Sequence, residues 1–354
     1  MLSTVTSLFQ QAREYISPSE SNFTPLLDPS ICDGGLEEFE RDFVDKGILL
    51  GEGEFGKVTL IQTRTVEPSR DGDEDAPVET KAKSTAVFAC KTLHKGAVFK
   101  DNVLYSPLKP EALITEVECL RALNGEHFCL KLQGVYESSQ FIRIITQVAA
   151  QGHLSEYFSQ QDTINIRTLS LLAFQLFDAV RHCATKGIIH RDIKPQNCLI
   201  VTDEAFHSKP QLSLIDFGSS TIHKGFQNAD GDKDLPVHNT YAGSALYCSP
   251  EMFQKTYTQK TDVWSAGVVL YVCASGFPNN DDQQIIFNAL IMAQKHARDK
   301  QRDWKTTLKL GVDNDALIDL LDASLTYRHK QRPNAASLVE YDPFLQLWKE
   351  TEEE

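Results

Sequence analysis

Residues 190–197 read His190-Arg191-Asp192-Ile193-Lys194-Pro195-Gln196-Asn197, and residues 216–218 read Asp216-Phe217-Gly218. The two stretches hold the groups that phosphoryl transfer from a nucleotide requires. Asp192 can accept the proton of an attacking hydroxyl, and Lys194 can neutralise charge on the moving phosphoryl group. Asn197 and Asp216 can bind magnesium through their side-chain oxygens. The sequence therefore predicts a phosphotransfer site built from two loops.

A glycine-rich stretch lies nearer the N-terminus and reads Leu50-Gly51-Glu52-Gly53-Glu54-Phe55-Gly56-Lys57-Val58. The glycine spacing alone is also typical of dinucleotide-binding folds, in which a helix follows the glycines. Here the next residues, Lys57-Val58-Thr59-Leu60-Ile61, have the composition of a strand. The glycines are therefore predicted to form the bend of a hairpin, whose backbone N–H groups can lie over phosphates. A later strand candidate reads Val87-Phe88-Ala89-Cys90-Lys91.

The order of these motifs resembles that of the eukaryotic protein kinases, from about residue 43 to about residue 348. Three further matches extend the resemblance. They are Ser249-Pro250-Glu251, Asp262-Val263-Trp264-Ser265-Ala266-Gly267 and Arg332, which matches the arginine that in the family pairs with the motif glutamate, here Glu251. The presence of Lys194 and of Gly243-Ser244 makes these motifs more similar to those of the serine/threonine kinases than to those of the tyrosine kinases. Residues 89–92, 116–120 and 134–137 are most similar to calcium/calmodulin-dependent and calcium-dependent protein kinases.

The resemblance implies roles for individual residues. Lys91 is expected to contact the α- and β-phosphates of ATP with Glu116 as its brace, and Thr146 is the expected gatekeeper. The implied nucleotide-binding residues are Gly51, Glu52, Gly53, Glu54, Phe55, Gly56, Val58, Ala89, Lys91, Thr146, Gln147 and Ala149. The implied catalytic residues are Asp192, Lys194, Lys91 and Glu116, and the implied Mg²⁺ ligands are Asn197 and Asp216. The function implied is ATP-dependent transfer of a phosphoryl group to a serine or threonine hydroxyl of a protein substrate.

Periodic apolar residues predict the order of helices and strands. A helix is predicted from Pro110, because proline and a following acid suit a helix start, and a strand is predicted over residues 141–148. A helix is expected over residues 169–183, a hairpin from residues 199–201 and 212–215, and mainly helices from Thr261. Strands followed by helices indicate an α+β, two-lobed, protein kinase-like fold, with a small β-rich N-lobe and a larger α-helical C-lobe.

The predicted domain organisation has three parts. They are an N-terminal extension (1–37), a protein kinase domain (38–348, with the N-lobe over about 38–146 and the C-lobe over about 150–348) and an acidic tail (349–354). Apolar residues recur at helical spacing over residues 1–18, and residues 17–35 read as a linker. The helix is interpreted as docked on the domain, with a partner-docking or autoregulatory helix and a transit peptide as alternatives.

Composition narrows the classes of partner. The 354 residues carry a formal net charge of −14, which argues against nucleic acid or an anionic membrane as the main partner. The longest apolar run, residues 266–277, is too short to span a bilayer, and residues 1–18 do not match a secretory signal. The eight cysteines include no Cys-x-x-Cys pair, which favours buried free thiols in a reducing cytoplasm or nucleus.

Two acidic runs, residues 71–75 and 230–234, can be tested against the calcium-loop pattern. That pattern needs glycine at its sixth position and glutamate at its twelfth. The first run has Ala76 and Ala82 at these positions, and the second has Leu235 and Tyr241. Both runs are therefore predicted to be solvated loops, and neither an EF-hand nor a basic calmodulin-binding tail is expected.

Two other function classes share the implied fold. A pseudokinase scaffold would usually lack Lys91, Asp192 or Asp216, and all three are present. A small-molecule kinase is the second alternative. Residues 243–251, which in protein kinases shape the platform for the peptide, argue against it.

The resemblance also bears on regulation and substrate choice. Thr240 falls where many family members are phosphorylated by an upstream kinase, and Arg191 is the expected partner of that phosphate. His153 and Gln196 stand where relatives that prefer basic substrates have two acids. The sequence therefore predicts little preference for arginine three residues before the phosphorylated residue.

Overall fold

The computed structural model describes residues 25–53, 56–64, 86–95, 98–100, 103–105, 110–149, 152–161, 165–201, 209–226, 234–275 and 314–349. They fall into two compact units. The first contains the described residues up to 114 together with residues 132–148, and the second contains residues 115–131 and the described residues from 149 onward. The first unit is built on a β-sheet and the second mainly from helices, which confirms the predicted fold class.

The first unit contains a five-stranded antiparallel sheet. Its strands are β1 (Phe43–Gly53), β2 (Gly56–Thr63), β3 (Val87–His94), β6 (Leu132–Glu137) and β7 (Phe141–Thr146), in the order β1-β2-β3-β7-β6. Two short strands, β4 (Val98–Lys100) and β5 (Val103–Tyr105), pair with each other. Helix α1 (Leu36–Asp42) precedes the sheet, and helix α2 (Pro110–Leu123) follows β5. Gly53 pairs with Gly56, so the predicted glycine-rich hairpin is confirmed.

One face of the sheet carries an apolar core formed by Phe39, Ile61, Cys90, Tyr136 and Ile145. Phe39 comes from α1 and meets Tyr136 edge-on, with ring centroids 5.7 Å apart. Because side chains alternate between the faces of a strand, residues one position away from this core point to the opposite face.

The edge strand β6 is covered by residues 26–35. The N–H of Asp33 donates to the carbonyl oxygen of Val135 (2.7 Å), and the carboxylate of Asp33 accepts from the N–H of Val135 (2.7 Å). The carbonyl oxygen of Gly34 accepts from the N–H of Glu137 (2.9 Å). These bonds satisfy backbone groups that an open sheet edge would expose.

Glu137 fixes the start of this covering segment. Its buried carboxylate accepts from the N–H groups of Leu26 (2.6 Å) and Leu27 (3.1 Å) and lies 2.6 Å from Nζ of Lys95. Burial lowers the pKa of Lys95, whereas the charge of Glu137 raises it. Residues 17–35 are predicted from their composition to be a linker, but residues 26–35 are held against the sheet. The domain boundary near residue 38 stays a prediction.

The second unit is mainly helical. Its helices are α3 (Leu154–Ser159), α4 (Ile166–Thr185), α5 (Pro250–Phe253), α6 (Lys260–Ser275), α7 (Asp315–Ser324), α8 (Ala335–Tyr341) and α9 (Pro343–Gln346). Short strands pair as β9 (Cys198–Val201) with β10 (Gln211–Leu214) and as β8 (Ile188–Ile189) with β11 (Thr221–Ile222). Residues 261–275 of α6 are all buried, because apolar residues occupy every side of this helix.

The observed elements agree with most of the sequence predictions. The helix expected over residues 169–183 is α4, the expected hairpin is β9 with β10, and the helix expected from Pro110 is α2. The strand expected over residues 141–148 ends at Thr146. The helix predicted over residues 1–18, the acidic run 71–75 and most of the run 230–234 lie outside the described residues. None of the described helices combines the length and the apolar character needed to cross a membrane.

Candidate active site

A buried carboxylate holds the backbone of the loop at residues 190–197, here called the catalytic loop. Asp262 in the first turn of α6 is 1% exposed and accepts hydrogen bonds from the N–H groups of His190 (2.7 Å) and Arg191 (2.9 Å). Burial raises the pKa of Asp262, whereas the hydrogen bonds from these N–H groups favour its charged form. The loop backbone is therefore fixed by a charge-assisted pair of hydrogen bonds.

His190 braces the catalytic loop from within. Its Nε2 lies 2.9 Å from the carbonyl oxygen of Ile215, and its Nδ1 lies 3.2 Å from the backbone nitrogen of Asp192. Because a carbonyl oxygen only accepts, Nε2 carries the ring proton, and Nδ1 can accept from the N–H of Asp192. The ring of Phe217, which is fully buried, meets His190 edge-on at a centroid distance of 4.8 Å.

Asp192 lies in a dense hydrogen-bond network. Nζ of Lys194 is 2.9 Å from Oδ2 of Asp192 and 2.9 Å from Oγ of Ser244. The N–H of Ser244 donates to Oδ1 of Asp192 (2.7 Å). Nδ2 of Asn197 donates to the carbonyl oxygen (2.8 Å) and to Oδ2 (3.1 Å) of Asp192. Both carboxylate oxygens of Asp192 are therefore held in defined positions.

Gly243 allows the segment that carries Ser244 to approach the catalytic loop. Its φ is +84°, and a Cβ atom at this position would collide with the carbonyl oxygen of Arg191. Both features exclude larger residues, because positive φ and close backbone approach are tolerated by glycine. The network around Asp192 thus depends on glycine at position 243.

The two residues proposed as metal ligands lie on adjoining loops. The carbonyl oxygen of Asn197 accepts from the N–H of Ile215 (3.0 Å), the residue before Asp216. Asp216 has a left-handed backbone (φ 64°), and its Oδ1 lies 3.4 Å from the backbone nitrogen of Gly218. Both hydrogen bonds from the Asn197 side chain to Asp192 use Nδ2, which leaves Oδ1 as the atom able to bind a cation.

Glu116 lies on α2, in the part of that helix that belongs to the second unit. It is 8% exposed, and a Cβ atom added at Gly218 would lie 3.8 Å from its Oε2. The next acid on the helix, Glu118, pairs with Lys224 at 2.7 Å. Two acids of α2 thus neighbour the stretch that follows Asp216.

Four predicted nucleotide-binding residues share one face of the sheet in the first unit. Val58 pairs with Lys91, and Ala89 pairs with Thr146, across adjacent strands. Cross-strand partners share a face, and Ala89 and Lys91 are two residues apart. All four therefore lie on the face opposite the apolar core.

The remaining nucleotide-binding predictions divide between the units. Gly51 and Glu52 lie on β1, paired with Val58 and Lys57, and Gly53 pairs with Gly56. Gln147 follows β7 in the first unit, and Ala149 belongs to the second. Glu54 and Phe55 lie outside the described residues.

Arg191 joins the catalytic loop to the segment after Phe217. Its Nε donates to the carbonyl oxygen of Ser219 (2.6 Å), and its Nη2 donates to that of Ser220 (2.9 Å). Its Nη1 lies 3.2 Å from Oγ1 of Thr240 and 3.3 Å from the hydroxyl of Tyr257. The Arg191 side chain, which is expected to bind a phosphate on Thr240, is therefore already in contact with that threonine.

Sequence reasoning missed a histidine pair beside Arg191. Nε2 of His223 lies 2.6 Å from Nε2 of His238, whose ring stacks on Tyr257 at 5.6 Å. Burial and then the neighbouring His223 lower the pKa of His238 to about 4, and burial lowers the pKa of His223. The chain carries no local signal for this pair, since the fold alone brings the two residues together.

A buried ion pair supports the segment that ends at Glu251. Nη2 of Arg332 lies 3.2 Å from Oε2 of Glu251, and Nη1 contacts Oε1. Arg332 is 1% exposed and also donates to the carbonyl oxygen of Thr326. This pairing was predicted from the sequence and is confirmed.

Sequence comparison with known proteins identifies the family of this chain. The family model described as "Protein kinase domain" matches residues 78–344. The chain is 27% identical to calcium-dependent protein kinase 21 of Arabidopsis thaliana over 335 residues, which cover 94% of this chain and 55% of that protein. It is 29% identical to calcium-dependent protein kinase 4 of Solanum tuberosum, over 71% of this chain and 39% of that protein.

A further relative is named a serine/threonine kinase. The chain is 28% identical to serine/threonine-protein kinase PEPKR2 of Arabidopsis thaliana, over 89% of this chain and 56% of that protein. The chain thus spans about half the length of the curated relatives that it matches. It belongs to the protein kinase family, which confirms the resemblance found in the sequence.

Replacing Asp262 by asparagine should loosen the catalytic loop. The amide keeps one acceptor oxygen but loses the charge, and charge-assisted hydrogen bonds contribute about 1.5–3 kcal/mol each. We expect hydrogen exchange at the amides of His190 and Arg191 to accelerate roughly 10- to 100-fold. Native-state exchange followed by mass spectrometry measures this effect, with Asp319→Asn on the exposed side of α7 as the matched control. Unchanged exchange in Asp262→Asn would show that the carboxylate does not fix the loop.

Proposed function

We propose that this protein is an ATP-dependent protein serine/threonine kinase. The observation that carries the proposal is the position of Lys194, whose Nζ bridges Asp192 and Ser244 at 2.9 Å each. A lysine placed beside the catalytic carboxylate can neutralise charge on a phosphoryl group as it moves to an acceptor hydroxyl. Membership of the protein kinase family and the names of the relatives support the same activity.

Asp192 would act on the acceptor hydroxyl. Its carboxylate is held by the N–H of Ser244 and by Nδ2 of Asn197, so its oxygens are oriented before any substrate binds. A positioned carboxylate can accept the hydroxyl proton as the oxygen attacks phosphorus. We propose that Asp192 is this base and that Ser244 belongs to the surface that receives the substrate segment.

Asn197 and Asp216 would hold Mg²⁺. Both offer oxygen donors, which Mg²⁺ prefers, and Asn197 keeps its Oδ1 for a cation while Nδ2 binds Asp192. Bound MgATP supplies the phosphoryl group and the positive charge that neutralises its oxygens. In the first unit, we propose that Lys91, braced by Glu116, contacts the α- and β-phosphates. We further propose that the hairpin of β1 and β2, with Val58, Ala89, Thr146, Gln147 and Ala149, binds the nucleotide.

Two further proposals concern the extent of the kinase domain and the cellular compartment of the protein. We propose that the kinase domain covers residues 38–348, which contains the matched region 78–344. All eight cysteines lie in the described residues as free thiols, and all except Cys32 are buried. Burial raises the pKa of Cys90 to about 11 and that of Cys198 to about 12, so these thiols remain protonated. Such thiols suit a cytoplasmic or nuclear protein, and fractionation of cells that produce the chain tests this location.

Removal of a catalytic charge should abolish transfer without unfolding the protein. We expect Asp192→Asn to lower kcat about 10²- to 10⁴-fold and Lys91→Met and Asp216→Ala to reduce phosphorylation of a protein substrate at least as strongly. Circular dichroism should show intact secondary structure. Lys46→Met and Asp319→Asn, at exposed positions, are the matched controls and should keep normal activity. Normal phosphorylation by Asp216→Ala would contradict the proposed mechanism, and phosphorylation of metabolites but not of proteins would favour a small-molecule kinase.

We propose that an upstream kinase activates the protein at Thr240. Oγ1 of Thr240 lies 3.2 Å from Nη1 of Arg191, so an added phosphate would meet a cation that is already joined to the catalytic loop. We expect Thr240→Ala to lose the gain in kcat that phosphorylation gives to the wild-type chain. Thr256→Ala, at an exposed threonine, is the matched control. Equal kcat for Thr240→Ala and for wild-type protein shown by mass spectrometry to carry the phosphate would contradict this role.

The substrate preference should reflect two missing acids. His153 forms an isolated β-bridge with Leu199. Leu199 lies two residues after the end of the catalytic loop, which contains the exposed Gln196. An imidazole and an amide bind a guanidinium only weakly, whereas two carboxylates make charge-assisted hydrogen bonds with it. We propose that the protein does not select arginine three residues before the acceptor.

A degenerate peptide array measures this preference directly. We expect the wild-type chain to show little selection for arginine at that position. His153→Glu combined with Gln196→Glu should create a selection of roughly 10- to 100-fold, from about 1.5–3 kcal/mol per charge-assisted bond. His153→Gln combined with Gln196→Asn changes the same positions without charge and should leave the profile unchanged. Strong arginine selection by the wild-type chain would show that other residues bind the guanidinium.

A further inference from the structure

Three side chains in the second unit converge outside the network around Asp192. Glu126 and His127 lie on the turn after α2, and His182 lies in the last turn of α4. One possible ligand atom from each lies within 4.8 Å of the other two. Nε2 of His182 is 3.9 Å from Oε2 of Glu126, and the two imidazole rings are 4.5 Å apart with an interplanar angle of 36°.

The turn that carries Glu126 and His127 has an unusual backbone. Asn124 (φ 52°), Gly125 (φ 70°), His127 (φ 48°) and Phe128 (φ 61°) all have left-handed conformations. The turn is closed by a hydrogen bond from the N–H of Glu126 to the carbonyl oxygen of Leu123 (3.0 Å). Left-handed non-glycine residues are strained and persist only where the surrounding structure holds them. The backbone that carries Glu126 and His127 is therefore held in a fixed turn.

His127 is oriented by a buried carboxylate. Its Nδ1 lies 2.9 Å from Oδ2 of Asp178, and the other carboxylate oxygen of Asp178 pairs with Arg181. When Nδ1 donates its proton to a carboxylate, Nε2 presents its lone pair, as in many metal-binding histidines. Nη2 of Arg181 lies 3.1 Å from the same Nδ1, so the alternative tautomer accepts from Arg181 instead. A cation at Nε2 selects the tautomer that is bound to Asp178.

We propose that Glu126, His127 and His182 form a binding site for Zn²⁺, with water as the fourth ligand. Two imidazoles and one carboxylate are a donor set that zinc uses, whereas Ca²⁺ and Mg²⁺ prefer oxygen ligands alone. In the zinc complex, His182 gives up the long contact (3.4 Å) between its Nε2 and the carbonyl oxygen of Leu123. The ion would join the turn after α2 to α4.

The distances in the cluster fit zinc after a small adjustment. In a tetrahedral site, two ligands that each lie about 2.0–2.2 Å from zinc are roughly 3.3–3.6 Å apart. The larger separations here close by rotation of the Glu126 side chain and by a small tilt of the His127 ring that keeps its hydrogen bond to Asp178; the two side chains are 53% and 42% exposed. His182 is 5% exposed and need not move. Burial thus fixes one ligand, and exposure leaves the other two adjustable.

Zinc affinity of the purified full chain tests the site. All proteins carry Cys32→Ser, which removes the one thiol that is not buried, and zinc chloride is titrated against a chromophoric chelator. We expect the parent to bind one zinc ion. Loss of an outer partner typically lowers metal affinity roughly 10- to 100-fold, and we expect Glu126→Gln combined with His127→Gln to lower zinc affinity by more than that. Glu340→Gln combined with His329→Gln is the matched control and should bind like the parent. Thermal unfolding should shift upward with zinc for the parent and the control but not for the ligand variant.

The outer partner gives a second, graded test. Asp178→Asn keeps the shape of the side chain but weakens the acceptor for the Nδ1 proton of His127, so we expect zinc affinity to fall about 10- to 100-fold. Cobalt added in place of zinc should give the visible absorption of a four-coordinate ion with the parent and not with the ligand variant. Failure of the parent to bind zinc would overturn the proposal. Equal zinc affinity in the ligand variant would also overturn it, because the metal would then be bound elsewhere.

Discussion

The catalytic loop depends on the buried carboxylate of Asp262. An isolated charge in a protein interior costs several kcal/mol or more, so Asp262 is tolerable only with partners. Its position in the first turn of α6 places it where the helix dipole favours negative charge, and the N–H groups of His190 and Arg191 complete its hydrogen bonds. The apolar sequence of α6 keeps the helix buried, and the carboxylate then obliges the loop backbone to lie against it.

The other contacts of the site follow from that fixed backbone. The His190 ring hydrogen-bonds to the backbone N–H of Asp192 and to the carbonyl oxygen of Ile215, the residue before Asp216, and so holds both segments in place. The carbonyl oxygen of Arg191 leaves room only for a glycine at position 243, which brings Ser244 to Asp192 and Lys194. The side chain of Arg191 contacts the segment that contains Thr240. Charge neutralisation, proton acceptance and control by phosphate would therefore act on one connected backbone.

Sequence patterns predicted the elements but not every contact between them. The hairpin of β9 and β10, helix α4 and the ion pair of Arg332 with Glu251 follow from periodicity or from a motif. The packing of residues 26–35 on β6 does not, because it depends on Glu137, more than 100 residues away along the chain. The pairing of His223 with His238 likewise has no local pattern. Long-range polar contacts of this kind are set by the tertiary fold, so a reading of local propensity misses them.

The proposed zinc site would also restrict the backbone of the catalytic loop and of Asp216. It would do so through the segments that precede them in the chain, namely α4 and β10. The carbonyl oxygen of Phe128, next to His127, accepts from the N–H of Leu214 (2.8 Å), and the N–H of Leu130 donates to the carbonyl oxygen of Leu214 (3.0 Å). Leu214 ends β10, two residues before Asp216. His182 lies near the end of α4, which leads through β8 to His190. An ion that ties the turn after α2 to α4 would therefore restrict the segments that carry both the catalytic loop and Asp216, without contacting either one.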